Sequence, residues 1–427
     1  MSVLDSILAQ AGEAPMLSSM DYSIIPSSSS VVDRKQCVSA YTVSATSVTP
    51  TDRNVTIKLG TDHFVDASSL RLSFSIVNKD ASKILQPMCG PWCCWGNIRL
   101  LSQGTLIEEL PMYGRHHELF GYQLLPFQEQ WSEASVCGLG GSWDTATGLM
   151  YQGQPKIGKI EPGERAAVLH KLHLSLFNSG KTLPCRFMPL EVQLVLANND
   201  EWLNTTSTFS TDFALENIRI IYDQVIADEG VVNSLFSNLR ANQTLNLPCL
   251  TAYTFTHPIG NGMTQVDIPA VRAFSKISSI WVTFSNNTAR SYQFPIPSTP
   301  PNGLGSMPAI DSGNPGWAPR IQLSIGGKNY PDPAPSDSIS MQYYQLVRAL
   351  GLSPNITRDD YLSDTYVVCF DLKKVPFDQG SGVNSRSGDL IRIAVDRLTA
   401  GRCTQAHVTF FAYTVVGVRE SGVVVAN

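Results

Sequence analysis

The sequence predicts an all-β protein made of two tandem eight-stranded jelly rolls, a double jelly roll, with short helices and long loops. Three observations predict it. Segments with period-2 alternation or β-branched richness recur from residue 37 to residue 418. The central stretch 213–248 reads as strand, short helix, strand. Four short motifs of the first half return in the same order in the second. A chain of 427 residues suits two or three domains at about 150 residues each. The division expected is an arm at 1–34, a first roll at 35–227, a linker helix at 228–244 and a second roll at 245–427.

The arm comes first. Residues 1–33 hold no Lys or Arg, and Val3, Leu4, Ile7, Leu8 and Ala11 make one apolar stripe behind a capping-box-like Ser2-Val-Leu-Asp5. Strands follow near Val43, at 56–59 and at 70–76. Residues 95–102 and 105–110 form a hairpin around Gln103-Gly104. A short helix is expected at 116–120, then a long excursion at 122–165 of the kind that carries surface function or contacts. Residues 169–177, with Leu172, Leu174 and Leu176 on one face, read as a strand turned by Asn178-Ser-Gly180, and 190–196 as another. In the centre, Ile218, Ile220 and Tyr222 share a strand face. Asp228 N-caps a helix whose apolar residues Val231, Val232, Leu235, Phe236 and Leu239 keep a period near 3.6.

The second half follows the same plan. Strands are expected at 251–257, 266–268 and 277–284, a Pro/Gly/Ser-rich loop at 295–319, then 321–327, a helix at 343–350, and strands at 366–372, 390–395 and 408–418. Ile98-Arg-Leu-Leu-Ser-Gln-Gly104 matches Ile321-Gln-Leu-Ser-Ile-Gly-Gly327. Glu118-Leu-Phe-Gly121 matches Arg348-Ala-Leu-Gly351, Phe177-Asn-Ser-Gly180 matches Phe377-Asp-Gln-Gly380, and Leu190-Glu-Val-Gln-Leu194 matches Leu390-Ile-Arg-Ile-Ala394. The offsets are 223, 230, 200 and 200. They drop where the 122–165 excursion lengthens the first half.

Composition narrows the function classes. Charged residues make up 16% of the chain, against roughly 25% in a typical soluble protein, which suits either surface committed to other subunits, the favoured reading, or a β protein rich in Ser, Thr and Asn. No apolar run reaches the 18 or so residues of a membrane span, and the start has no basic region of a signal peptide. A net charge of −5 gives no general attraction for nucleic acid. The nine cysteines include a cluster, Cys89, Cys93 and Cys94, without a second pair at zinc spacing, so free buried thiols in a reducing compartment are expected.

No residue set reads as a catalytic, cofactor-binding or metal site. His116 and His117, beside Glu118, point about 100° apart on a helix, so one ion cannot easily use both. His170 and His173 fall on opposite faces of a strand. Glu108 and Glu109 alternate faces and read as a solvated hairpin edge. Gly326-Gly-Lys328 lacks the rest of a phosphate loop, and Gly138-Leu-Gly-Gly-Ser142 lacks the nucleophile-elbow pattern. The five sequons, at Asn54, Asn204, Asn242, Asn286 and Asn355, suit chance in a chain rich in Asn, Ser and Thr.

Three segments resemble the major capsid proteins of the double jelly-roll lineage of DNA viruses, nearest to those of polinton-like viruses and virophages. They are Gln86-Pro-Met-Cys-Gly-Pro-Trp92 running into 98–104; Leu106-Ile-Glu-Glu-Leu110 followed by Tyr113-Gly-Arg-His-His117; and Leu215-Glu-Asn-Ile-Arg219 with Asp223-Gln-Val225, the helix and Leu245-Asn-Leu-Pro248. The family pattern has Asp where this chain has Glu109. The resemblance implies a non-enzymatic shell subunit of the virion, a homotrimer that forms pseudo-hexameric capsomers of an icosahedral shell. Its partners would be itself, neighbouring capsomers, penton and minor capsid proteins, and an internal membrane or host surface, without sequence-specific nucleic-acid binding. The long loops would rise as towers. A single-roll RNA-virus capsid protein would more often carry a basic arm. The alternative reading is a secreted or surface β-sandwich carbohydrate-binding protein, which needs a signal peptide. A glycan-cleaving jelly roll needs two carboxylates about 5–9 Å apart in a groove.

Overall fold

The computed structural model describes residues 32–43, 47–60, 62–87, 90–137, 159–241, 243–270, 272–285, 317–331, 336–350, 361, 366–374, 381–386, 389–399, 403–420 and 422–426. The expectations for the arm up to residue 31, for most of the loop at 295–319, for Gly138–Ser142 and for the motif at 377–380 fall outside them.

Eight principal strands build the first half: β1 (Val32–Tyr41), β2 (Asn54–Leu59), β3 (Arg71–Asn78), β4 (Trp95–Ser102), β5 (Thr105–Pro111), β6 (Arg165–Lys171), β7 (Leu190–Leu196) and β8 (Phe213–Ala227). They pair antiparallel in two sheets, β1-β8-β3-β6 and β2-β7-β4-β5. Eight more build the second: β9 (Leu245–Pro258), β10 (Gln265–Ala270), β11 (Ile277–Ser285), β12 (Trp317–Ile325), β13 (Lys328–Tyr330), β14 (Val367–Asp371), β15 (Ile391–Asp396) and β16 (Gln405–Arg419). Their order is β9-β16-β11-β14 and β10-β15-β12-β13. Adding eight to each number of the first half gives the second, so the chain is a double jelly roll.

Alternation explains the rolls. β3 and β7 bury every second residue, and those residues meet in a core that includes Leu72, Phe74, Ile76, Val192, Leu194 and Trp95. A second core gathers Ile268, Ile280, Val282, Phe284, Leu323, Ile393 and Phe410. The hairpin between β4 and β5 turns on Gln103 and Gly104, with φ of 50° and 80°, the both-positive turn that matches strand twist. Its counterpart between β12 and β13 turns on Gly326 and Gly327 at 56° and 81°. The 223-residue offset is therefore in register: Ile98 and Leu100 face one core, Ile321 and Leu323 the other. The 200-residue offset is one residue out. Leu190 is buried but Leu390 is exposed, and Ile391, Ile393 and Val395 face inward. With a period of two, a slip of one exchanges the faces.

Among the described residues five α-helices accompany the strands: α1 (Tyr113–Glu118), α2 (Phe127–Val136), α3 (Asn199–Trp202), α4 (Glu229–Arg240) and α5 (Ile339–Leu350). α1 continues as a wider π-helical turn, Leu119–Gln123. α2 occupies part of the excursion at 122–165 that reads as loop in sequence. α4 is the expected linker, with the Asp228 carboxylate accepting from the Gly230 N–H at 2.9 Å. α5 is pinned by Gln342, whose amide donates to the Pro319 and Ser336 carbonyls and accepts from the Tyr366 hydroxyl.

Three further expectations change. β1 begins at Val32, inside the stretch assigned to the arm, because it pairs along β8. The strand expected at 169–177 ends at Lys171: Asn178 N–H donates to the Leu174 carbonyl, so the chain coils while Leu172, Leu174 and Leu176 stay buried. A last strand, Gly422–Ala426, pairs with β16 and was not anticipated.

Candidate functional site

The place where the two rolls meet holds most of the buried polar chemistry. α1 and the π turn follow β5, and they pack on the outer face of the second roll's β9-β16-β11-β14 sheet. β11 has no solvent face there; residues 277–284 are all buried. Phe120 meets Trp281 edge-on at 5.3 Å and Phe411 at 4.9 Å. The Arg115 guanidinium donates to Thr283 Oγ1 at 2.8 Å.

Two of the segments behind the family resemblance, the one ending at Trp92 and the one at 113–117, lie on one another here. Pro91–Cys94 forms a 3₁₀ turn against α1. Trp92 stacks on His117 at 4.5 Å and donates its indole N–H to the buried Glu118 carboxylate. Gly114 allows the approach: a Cβ there would lie 2.7 Å from Cys93 Cα.

The histidines form a buried group. His116 and His117 diverge as a helix requires. His117 meets His170 at 5.5 Å between ring centroids. His116 Nε2 and His173 Nδ1 are 3.2 Å apart, one ring donating to the other. His173 lies beyond the end of β6 rather than on it. Burial lowers all four ring pKa values, His170 and His173 to about 4 and the other two well below the ordinary range, with neighbouring imidazoles adding to the effect on His116 and His117. The rings are neutral at pH 7. Among the described residues no group of three or more His, Cys, Asp or Glu is arranged to hold a metal ion.

Glu108 departs from the expected solvated edge. A register shift between Leu100 and Leu101 inserts Ile107 as a bulge and places Glu108 opposite Leu100, on the inward face. It is 3% exposed. Its carboxylate accepts from Ser175 N at 2.8 Å and Ser175 Oγ at 2.7 Å, and from the backbone of Ala252 on β9, so one carboxyl ties both rolls. Burial pushes its pKa up to about 7 against the pull of those donors. Glu109 does lie at the surface, held below the usual carboxylate range by Asn97 and Arg99.

Beside Glu108 lies a cavity of about 770 Å³ between the rolls. Residues of both rolls line it, including His116, Phe120, Leu124, Ser278, Trp281 and Phe411. No sequence motif marks it. The one available signal is β11, whose Ile277-Ser-Ser-Ile-Trp-Val-Thr-Phe284 lacks charge on either face.

The other candidates stay apart. Gly326 and Gly327 make a turn and Lys328 starts β13. Asn54 is exposed at the start of β2, and Asn204 Oδ1 accepts from the Thr206 N–H and hydroxyl. Asn242, Asn286 and Asn355 lie outside the described residues. The described cysteines form no disulfide with one another, and all but Cys37 are buried.

No protein-family model matches the chain. No curated protein matches it either. Solved structures do. The capsid of the PBCV-1 virus matches 95% of this chain and 99% of its own at 10% identity and a TM-score of 0.64. The Faustovirus major capsid protein matches 97% and 98% at 7% identity and a TM-score of 0.60. The Sputnik virophage structure matches 93% and 89% at 9% identity and a TM-score of 0.59. Likeness that runs the length of both chains, through both rolls and the helix between them, identifies the fold of this chain as the double jelly roll of those viral capsid proteins.

Proposed function

We propose that the chain is the major capsid subunit of an icosahedral DNA virus, located in the virion and without enzymatic activity. The observation that carries this reading is the repeated strand order, matched end to end by viral capsid chains at TM-scores near 0.6. Two like rolls in one chain give a homotrimer six similar corners, and such a pseudo-hexameric block tiles a lattice. The subunit's partners are then its own copies, neighbouring capsomers, and penton and minor capsid proteins; an internal membrane or host surface is a further partner class. The chain's low charge suits a surface largely given to such contacts.

Electron microscopy of the purified protein, with native mass measurement, tests the reading. Particles of three chains with a six-cornered outline, or closed shells, are expected. A monodisperse monomer at high concentration, with no assembly under any salt or pH, would overturn it.

A further inference from the structure

We propose that the cavity between the two rolls is a binding site for one long-chain fatty acid. Its volume of about 770 Å³ falls within the range of small-molecule sites. Phe120, Leu124, Trp281, Leu350 and Phe411 give it an extended apolar wall contributed by both rolls. Lys181 and Lys373 line it too, and both are exposed, so the cationic groups stand where the cavity meets solvent. The single acid in its wall, Glu108, is buried and already engaged by Ser175 and Ala252. An apolar interior with a cationic rim is complementary to a ligand with an apolar chain and one anionic head.

Two buried polar atoms of lining residues support an occupant. His116 Nδ1 and Ser278 Oγ have no hydrogen-bond partner among the described residues, and the two residues are 5% and 1% exposed. Buried groups of this kind are normally satisfied. A free phosphate would leave the aromatic wall unused. A sugar would want planar polar side chains facing those rings, and Asn178 is the one amide side chain in the lining.

The test is quenching of tryptophan fluorescence by a chain-brominated stearate added to the full-length protein. Trp281 is the one lining tryptophan of the seven in the chain. Saturable quenching is expected, and most of it should vanish in Trp281→Phe. A Lys181→Ala/Lys373→Ala double variant should weaken half-saturation about tenfold, since two exposed ion pairs are lost. Ala349→Phe, at a partly exposed lining position, should remove saturable quenching while the far-ultraviolet circular dichroism stays unchanged. Quenching that never saturates, that is equal in wild type and Trp281→Phe, or that ignores the two lysines would overturn the proposal.

Discussion

Replacing Glu108 with Gln isolates the cost of a buried carboxyl at the roll junction. The folded chain holds this group at about 7 against an ordinary 4.5. The difference corresponds to about 3 kcal/mol. The sign follows from which state binds the proton. Below pH 4.5 both folded and unfolded chains are protonated and the group is neutral in its effect. Between 4.5 and 7 the unfolded chain ionises while the folded chain does not, so stability falls as pH rises. Above 7 both are ionised and the full loss persists. Linkage puts the change between pH 5 and pH 8 at about 2.5 kcal/mol. Gln keeps an acceptor for Ser175 and Ala252 but never ionises. The assay is urea unfolding of wild type and Glu108→Gln at both pH values. The quantity to read is the wild-type-minus-variant difference, in which the histidine contributions cancel. That difference should move by about 2 kcal/mol or more in favour of the variant at pH 8. Parallel profiles for the two proteins would refute the argument that the carboxyl is desolvated and without a cation.

Other perturbations follow from the same geometry. Trp92→Phe removes one donor from buried Glu118 and should cost about 1–3 kcal/mol by thermal or urea unfolding. Gly114→Ala drives a methyl against the Cys93 backbone and should cost about 1–3 kcal/mol, with Gly104→Ala as a control where nothing lies within 4 Å but φ is +80°. The buried histidines have folded pKa values below 6.5, so their stability contribution is complete above 6.5 and is lost as pH falls toward 4. Unfolding at pH 5 should therefore take up protons, measured by calorimetry in two buffers; net release would contradict burial of neutral rings. If the proposed trimer forms, deleting residues 2–12 should weaken contacts between capsomers while sizing and thermal unfolding show the trimer still folded.

The rolls were legible because their signals are local. Period-2 burial in β3 and β7, the Gln103-Gly104 turn and the Asp228 cap each depend on a few adjacent residues. The repeat in β4 and β12 was legible for the same reason, since both strands end at paired positive-φ turns. The junction was not legible, because it depends on contacts across long separations. Ser175 and Ala252 lie far from Glu108 in sequence, and nothing near residue 108 announces that a bulge turns its side chain inward. The strand read at 169–177 failed in a related way. Alternating leucines satisfy a strand pattern, yet Leu172, Leu174 and Leu176 are buried by an irregular coil that the rest of the roll encloses.

On the proposed capsid reading, the junction also bears on how one chain would serve as two corners of a block. A flexible link between two rolls would let each roll turn independently, and a trimer of such chains would have no fixed outline. Here α4 is the covalent link, but it buries only Leu239, so it cannot by itself set the angle between the rolls. α1 and the π turn supply what α4 lacks. They grow from the first roll's β5, and their side chains Arg115, His116 and Phe120 engage Thr283, Trp281 and Phe411 of the second roll. The first core even takes in Cys249, Ala252, Val416 and Val418 from β9 and β16. Interfaces packed like a core are not continuously deformable, so the two rolls present one rigid surface, which a lattice of repeated contacts requires of its unit.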